Sequence, residues 1–367
     1  MLFRSGLPVM EGKALLYKYL GGIDAWPIML DTKDPHKIIE TILNLQPGFG
    51  GINLEDFAQP KCFRILDTLR QWAEIPVWHD DQQGTATATL AGLLNALKLV
   101  GKQLSTARIA FIGCGAANVA CSRLIFAAGA TPELCCIADS RGILNRDRQD
   151  IQKRKAEFVD KWRLCQITNA EQRQGGIPEA LQGADVVIAL SKPGPGTIQP
   201  EWIRQMADGA IVFACANPIP EMWPWEAKAA GAAVVATGRS DFPNQVNNSL
   251  VFPGVFRGAL DVQARTITDE MCLAAAGALA EMASAKGLNA DYILPTMAEW
   301  EVFPQEAAAV ASKAVELRIA RRPLTYEEAY QQAATIIKKS RDLTQLMMDA
   351  GFIRSEEHTS ELQSQSD

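Results

Sequence analysis

The sequence predicts an α/β protein built on a doubly wound parallel sheet, with a smaller α/β region before it and a set of helices after it. Three observations point there. From Ala107 onward, short β-branched runs alternate with helical stretches. Those runs are apolar throughout, as parallel strands covered by helices on both faces must be. One strand-to-helix junction carries a closely spaced glycine pair, Gly113 and Gly115. With 367 residues and 48% hydrophobic content, the chain is long enough for two cores.

Residues 1–95 form the smaller region. An apolar stretch near Asp24-Ala25-Trp26-Pro27-Ile28 is followed by IIETILNL, CFRILDTLRQW and IPVW. Two acidic pairs end short apolar runs here, Glu55-Asp56 in GGINLEDF and Asp80-Asp81 in PVWHDDQQGTA. Four carboxylates at strand ends suit a hard divalent cation such as Mg²⁺ or Mn²⁺, which takes oxygen ligands. The competing reading is that Asp56 and Asp81 cap helices or sit in solvated turns.

Residues 96–261 supply the sheet, through RIAFIG, a helix to Ala128, LCCIAD, ADVVIAL, AIVFACA and AAVVAT. Ligands of such sheets bind beyond the carboxyl ends of the strands, which singles out Gly113, Asp139, Ser191, Asn217 and Gly238. The run Gly113-Cys114-Gly115-Ala116-Ala117-Asn118 follows a strand and opens a helix, matching the first two glycines of G-x-G-x-x-G/A, with Asn118 in the third position. Such glycines let backbone N–H groups approach a pyrophosphate at a helix N-terminus, the Rossmann-type arrangement. Asp139, 26 residues past Gly113, is placed to accept from a ribose hydroxyl. Ser140 and Arg141 follow it and could accommodate a 2′-phosphate, so NAD and NADP both stay open.

Residues 262–353 are Ala-rich with helical spacing and read as closing helices broken by Pro295, Pro304 and Pro323. Residues 354–367, RSEEHTSELQSQSD, are polar without periodicity and read as a disordered or artefactual tail.

Composition excludes several classes. A net charge of −6 and no basic stripe argue against nucleic acid. No apolar run approaches the ~18 residues of a membrane span, and no signal-peptide pattern opens the chain, which makes a cytoplasmic location the default expectation. Eight cysteines lack C-x-x-C spacing and read as buried thiols of a reducing compartment. With only three histidines, carboxylates and lysines must carry the chemistry.

The segments GLPVMEGKALLYK, GIDAWPIMLDT, FGGINLED, IPVWHDDQQGTA, FACANPIPE and VATGRSDFPNQVNNSLVFPGVFRGALD, spanning Gly6 to about Arg265, resemble those of bacterial-type malic enzymes. That family oxidatively decarboxylates malate to pyruvate and CO₂. The resemblance implies that Lys13 takes the C2 hydroxyl proton, its pKa lowered by desolvation. It further implies that Glu55, Asp56 and Asp81 hold Mg²⁺ or Mn²⁺ and that Asp80 orients or pairs with the lysine. Asn217 and the pair Asn247-Asn248 correspond to residues that contact cofactor and substrate carboxylate, with Gly113, Gly115, Ala116, Ala117, Asn118, Asp139, Ser140 and Ser191 on the nucleotide.

Malate as small-molecule substrate, NAD or NADP as cofactor, and a homodimer or larger homo-oligomer are the associated expectations. The active site is expected in the cleft between the acidic region and the dinucleotide domain. Two departures accompany the resemblance. Gln83 stands where many relatives have the histidine of HDDQHGT. The family's upstream YTP-like tyrosine, a general acid, and a malate-binding arginine have no counterpart, so the chain reads as N-terminally truncated. A catalytically impaired nucleotide-binding homologue, regulatory or structural, is therefore the alternative, and a metal-independent dehydrogenase of amino acids or folates is a third.

Overall fold

A computed structural model describes residues 3–353; the polar tail at 354–367 lies outside the described residues. The first helix, α1 (Phe3–Gly21), carries Lys13 and Tyr17. Next come α2 (Pro35–Leu45), β1 (Ile52–Leu54), α3 (Lys61–Trp72) and β2 (Val77–His79). Asp34 caps α2 by accepting from the His36 N–H, and Pro35 fits the first turn, where no amide donor is needed. Ile38, Ile39 and Ile42 of α2 pack with Ile65, Leu66 and Leu69 of α3 and with Leu54 and Val77 beneath them. This small core fixes β1 and β2 as a parallel pair in the register Leu54 to His79. Both acidic pairs thus leave adjacent strands at the same end.

The main sheet contains β3 (Ile109–Ile112), β4 (Cys136–Asp139), β5 (Gly142–Ile143), β6 (Val186–Ala189), β7 (Ile211–Ala214) and β8 (Val234–Thr237). Its order is β5-β4-β3-β6-β7-β8, parallel except for β5. The five apolar runs of the sequence are all strands. The two-residue β5 carries no readable period, and it forms because the chain doubles back at Gly142, whose φ is +116°. Strand order reverses between β3 and β6, the switch point at which doubly wound sheets bind ligands. Helices α4 (Thr85–Leu99) and α5 (Ala116–Ala127) pack against each other beside this sheet.

After the Phe252–Asp261 helix come three more, Asp269–Lys286, Val302–Glu316 and Tyr326–Asp349. Pro304 does not break its helix, contrary to the sequence expectation. It occupies the first turn, where a missing N–H removes no intrahelical bond. The last helix returns to the start of the chain, with Ser340 Oγ donating to Lys18 O at 2.7 Å. All eight cysteines are free and buried. No described helix is long and apolar enough to cross a membrane.

One buried charge site stands apart. Glu306 is 0% exposed, packs against Gly254, and neither carboxylate oxygen has a donor among the described residues. Burial pushes its carboxyl well above the ordinary glutamate range. The unfolded chain releases this proton near pH ~4.3 while the raised folded value retains it longer, so the contribution of Glu306 to stability is complete below that pH and declines above it by about 1.4 kcal/mol per pH unit until the folded value is reached. Glu306→Gln is therefore expected to raise the melting temperature at pH 8 but hardly at pH 4. Thermal melts at the two pH values check this, and equal shifts at both would contradict it.

Candidate active site

The parallel ends of β1 and β2 deliver Glu55-Asp56 and Asp80-Asp81 to one place, and α1 lays Lys13 over them. Lys13 Nζ pairs with Asp80 Oδ2 and lies 3.2 Å from Glu55 Oε2. Asp80 is 0% exposed, and its other oxygen accepts from Trp78 Nε1 at 3.0 Å. Asp56 turns back with φ of +58°, letting its backbone N–H donate to Asp81 Oδ2 at 2.9 Å. Residues 80–84 form a π-helical turn, a wide coil often found at functional sites. Gln83 accepts from the His79 backbone N–H at 3.0 Å, so at this position the side chain braces the strand end.

Electrostatically the cluster holds too much negative charge. Burial, reinforced by Asp80 and Asp81, raises the Glu55 carboxyl to about 8. Burial also raises Asp80 against the pull of Lys13, and Asp81. Burial alone would push Lys13 down, but the Asp80 and Glu55 carboxylates outweigh it and hold the ammonium above the ordinary lysine range. The lowered pKa expected from the sequence is thus corrected, because two carboxylates face the one lysine. His79 is pushed down by burial to about 4 and is neutral, with both ring nitrogens free of hydrogen bonds and Nδ1 3.7 Å from Asp81 Oδ2.

Glu55, Asp56 and Asp81 offer only hard oxygen donors, and Glu55 Oε2 lacks an aligned hydrogen-bond donor. That chemistry fits Mg²⁺ or Mn²⁺. Among the described residues, however, no three His, Cys, Asp or Glu side chains already converge as a ready-made metal group.

At the switch point, Gly113 has φ of +95°, and a Cβ there would stand 2.5 Å from Leu190 O and 3.1 Å from Ser191 Cβ. Gly115 precedes α5 without a side-chain cap, leaving the first-turn N–H groups at Ala116 and Ala117 open to an anion. Asn118 instead turns inward. Its Nδ2 donates to Ile112 O at 2.8 Å and Gly113 O at 3.0 Å, so the side chain clamps the turn from beneath. Asp139 also engages its own chain. Oδ1 accepts from Arg141 N (2.8 Å) and Arg148 (3.1 Å), and Oδ2 from Arg148 (2.9 Å) and Lys161 (2.7 Å). Ser140 is exposed beside it.

Glu221 was not singled out by the sequence. It is 0% exposed, and one oxygen accepts from Ser191 N at 2.7 Å and Ser191 Oγ at 3.0 Å while the other accepts from Ala216 N at 3.0 Å. The carboxylate therefore ties the loop after β6 to the loop after β7, which presents the exposed Asn217. A glutamate after a proline reads as a solvated turn residue, so no sequence signal marks it. Trp78 carries no sequence signal because an aromatic in a strand reads as core, and Tyr17 lies buried on the same helix as Lys13 with an unpartnered hydroxyl.

The two halves meet at the 80–84 turn, which packs on α5 and on the Asn248–Leu250 turn. Asn248 Cβ would lie 2.8 Å from a Cβ at Gly84. Asn247 uses its side-chain oxygen to accept from Ser249 N at 2.9 Å. A cleft of about 610 Å³ opens beside Lys13, Glu55 and Asp56, walled by α1, the 23–33 segment and Phe256. Most of its lining comes from the N-terminal region, and Phe256 and Leu260 are contributed by the Phe252–Asp261 helix at the end of the dinucleotide region.

Residues 82–315 match the family described as malic enzyme, NAD binding domain, and residues 4–70 match malic enzyme, N-terminal domain. A bifunctional malic/malolactic enzyme of Bacillus subtilis is 45% identical, covering 93% of this chain and 79% of that protein. An NAD-dependent malic enzyme of Geobacillus stearothermophilus is 44% identical, covering 87% of this chain and 64% of that protein. Among solved structures, the malic enzyme of Entamoeba histolytica superposes with a TM-score of 0.93 at 53% identity, over 96% of this chain and 74% of that one.

Proposed function

The chain belongs to the malic enzyme family of oxidoreductases, and from that premise we propose that it converts L-malate and NAD(P)⁺ to pyruvate, CO₂ and NAD(P)H with a divalent cation. The observation that carries the reading is the buried Lys13–Asp80–Glu55 contact, set in an excess of carboxylates and backed against the nucleotide-binding helix. When bound, the nicotinamide takes hydride from C2 and the cation draws charge toward the C2 and C1 oxygens.

Glu55, Asp56 and Asp81 would hold the cation, which would share the Glu55 charge. The pull of that carboxylate on Lys13 would then be weaker, and burial would favour release of the ammonium proton to solvent, leaving the amine. Lys13 Nζ accepts the C2 hydroxyl proton, with Asp80 fixing its position and Trp78 Nε1 fixing Asp80. Asn247 and Asn248, on the neighbouring turn, would contact the substrate carboxylate, and Gly113, Gly115, Ala116 and Ala117 would seat the pyrophosphate.

The test is malate-dependent nicotinamide reduction with Mn²⁺ present or chelated, in the wild type and in Asp81→Ala. Metal-dependent pyruvate formation that falls by roughly 10²-fold or more in the variant is expected. Turnover that ignores chelation would sink the reading.

A further inference from the structure

We infer that the nucleotide site selects a 2′-phosphorylated adenosine, and hence NADP over NAD. The inference rests on the nicotinamide-linked reading above and names the cofactor of that site. Asp139 ends β4, beside the glycine turn, where a free carboxylate would accept from both ribose hydroxyls and repel a phosphate. Here all four of its acceptor directions are taken, by Arg141 N, by both terminal nitrogens of Arg148 and by Lys161 Nζ. No lone pair remains for a ribose.

The surrounding charge has the opposite sign. Arg141, Arg148 and Lys161 face Asp139 and Asp150, three cations against two carboxylates. Arg148 is locked between the two acids with its side chain 12% exposed, which leaves it to neutralise Asp139. Arg141 is different. Its side chain is 70% exposed and held only by a 3.3 Å contact to Asp150, so it can turn to a phosphate at little cost. The Ser140 hydroxyl, exposed at the same corner, supplies a second donor. A planar guanidinium beside a hydroxyl is a donor set for a phosphate monoester rather than for a diol.

Calorimetric titration of the full chain with adenosine 2′,5′-bisphosphate and with AMP tests this without turnover. The bisphosphate is expected to bind roughly tenfold or more tightly, as one or two charge-assisted bonds provide. In Arg141→Ala that advantage should shrink to about threefold or less while AMP binding holds, since the lost contact is to the extra phosphate. Equal binding of the two ligands by the wild type would overturn the inference, as would an advantage left intact in Arg141→Ala. The outcome is separable from that of the proposed reaction. Malate-dependent reduction of NAD with no bisphosphate preference defeats only the cofactor choice. Bisphosphate preference without malate turnover defeats only the reaction.

Discussion

Lys13→Ala is expected to lower malate turnover by roughly 10²- to 10⁴-fold, the range for losing a positioned proton acceptor. The reason is geometric as well as chemical. Lys13 is the only cation among the described residues in contact with Glu55 and Asp80, and both carboxyls are already pushed up by burial. Removing the lysine leaves them uncompensated, and breaking a buried pair from one side typically costs roughly 3–5 kcal/mol. Because its folded pKa is raised, the stabilisation Lys13 provides is complete at neutral pH. It is lost only as pH climbs beyond the ordinary lysine value of about 10.4 and through the raised one.

A specific consequence separates a reactive lysine from a structural one. Mn²⁺ can replace the missing charge, so the thermal shift on adding Mn²⁺ should be larger in Lys13→Ala than in the wild type. Nucleotide binding at Gly113 and Gly115, on another element, should persist. Turnover close to wild type would remove Lys13 from the mechanism, and loss of the Mn²⁺ shift together with turnover would make it a structural residue.

What could be read from the sequence follows a physical divide. The five main strands of the sheet are legible because each is buried on both faces and therefore continuously apolar, from Ile109–Ile112 to Val234–Thr237. The glycine turn is legible because Gly113 needs a backbone that other residues avoid. The acidic pairs stand out because carboxylates at the ends of apolar runs are costly without a partner. Other features depend on contacts between residues far apart in the chain, which no local pattern records. Asp80 is held by Trp78 two residues before it and by Lys13 sixty-seven before it. Glu221 reaches back thirty residues to Ser191. The state of Asp139 depends on Arg148 and Lys161, which lie in segments without strong periodicity. The raised pKa of Lys13 likewise follows from counting carboxylates around it in space, which the sequence order does not reveal.

Gly84→Ala is expected to disable the site without touching any group that carries charge. Gly84 has ordinary helical φ and ψ of −65° and −49°, so backbone freedom is not what the position demands. Space is. An added Cβ would collide with Asp80 Oδ1 and stand 2.8 Å from Asn248 Cβ and 3.1 Å from Asp80 Cγ. Asp80 cannot yield freely, since one oxygen is bound to Trp78 and the other to Lys13. Asn248 cannot yield freely either, because its turn leads directly into the Phe252–Asp261 helix. One methyl therefore pries the acidic turn from the asparagine turn, the two surfaces that in the proposed reaction would close on malate.

Overpacking of this kind costs roughly 1–3 kcal/mol in stability. Displacing the catalytic groups by even about 1 Å can cost roughly 10²-fold in rate. Kinetics should show kcat falling with a smaller change in the KM for nucleotide, because Gly113 and the α5 N-terminus are unaltered. Gly84→Ser should be worse still, as it adds an oxygen beside a buried carboxylate. A Gly84→Ala protein with normal kcat would mean that Asp80 has room to move, and with it the claim that Lys13 is held in one productive position would fall.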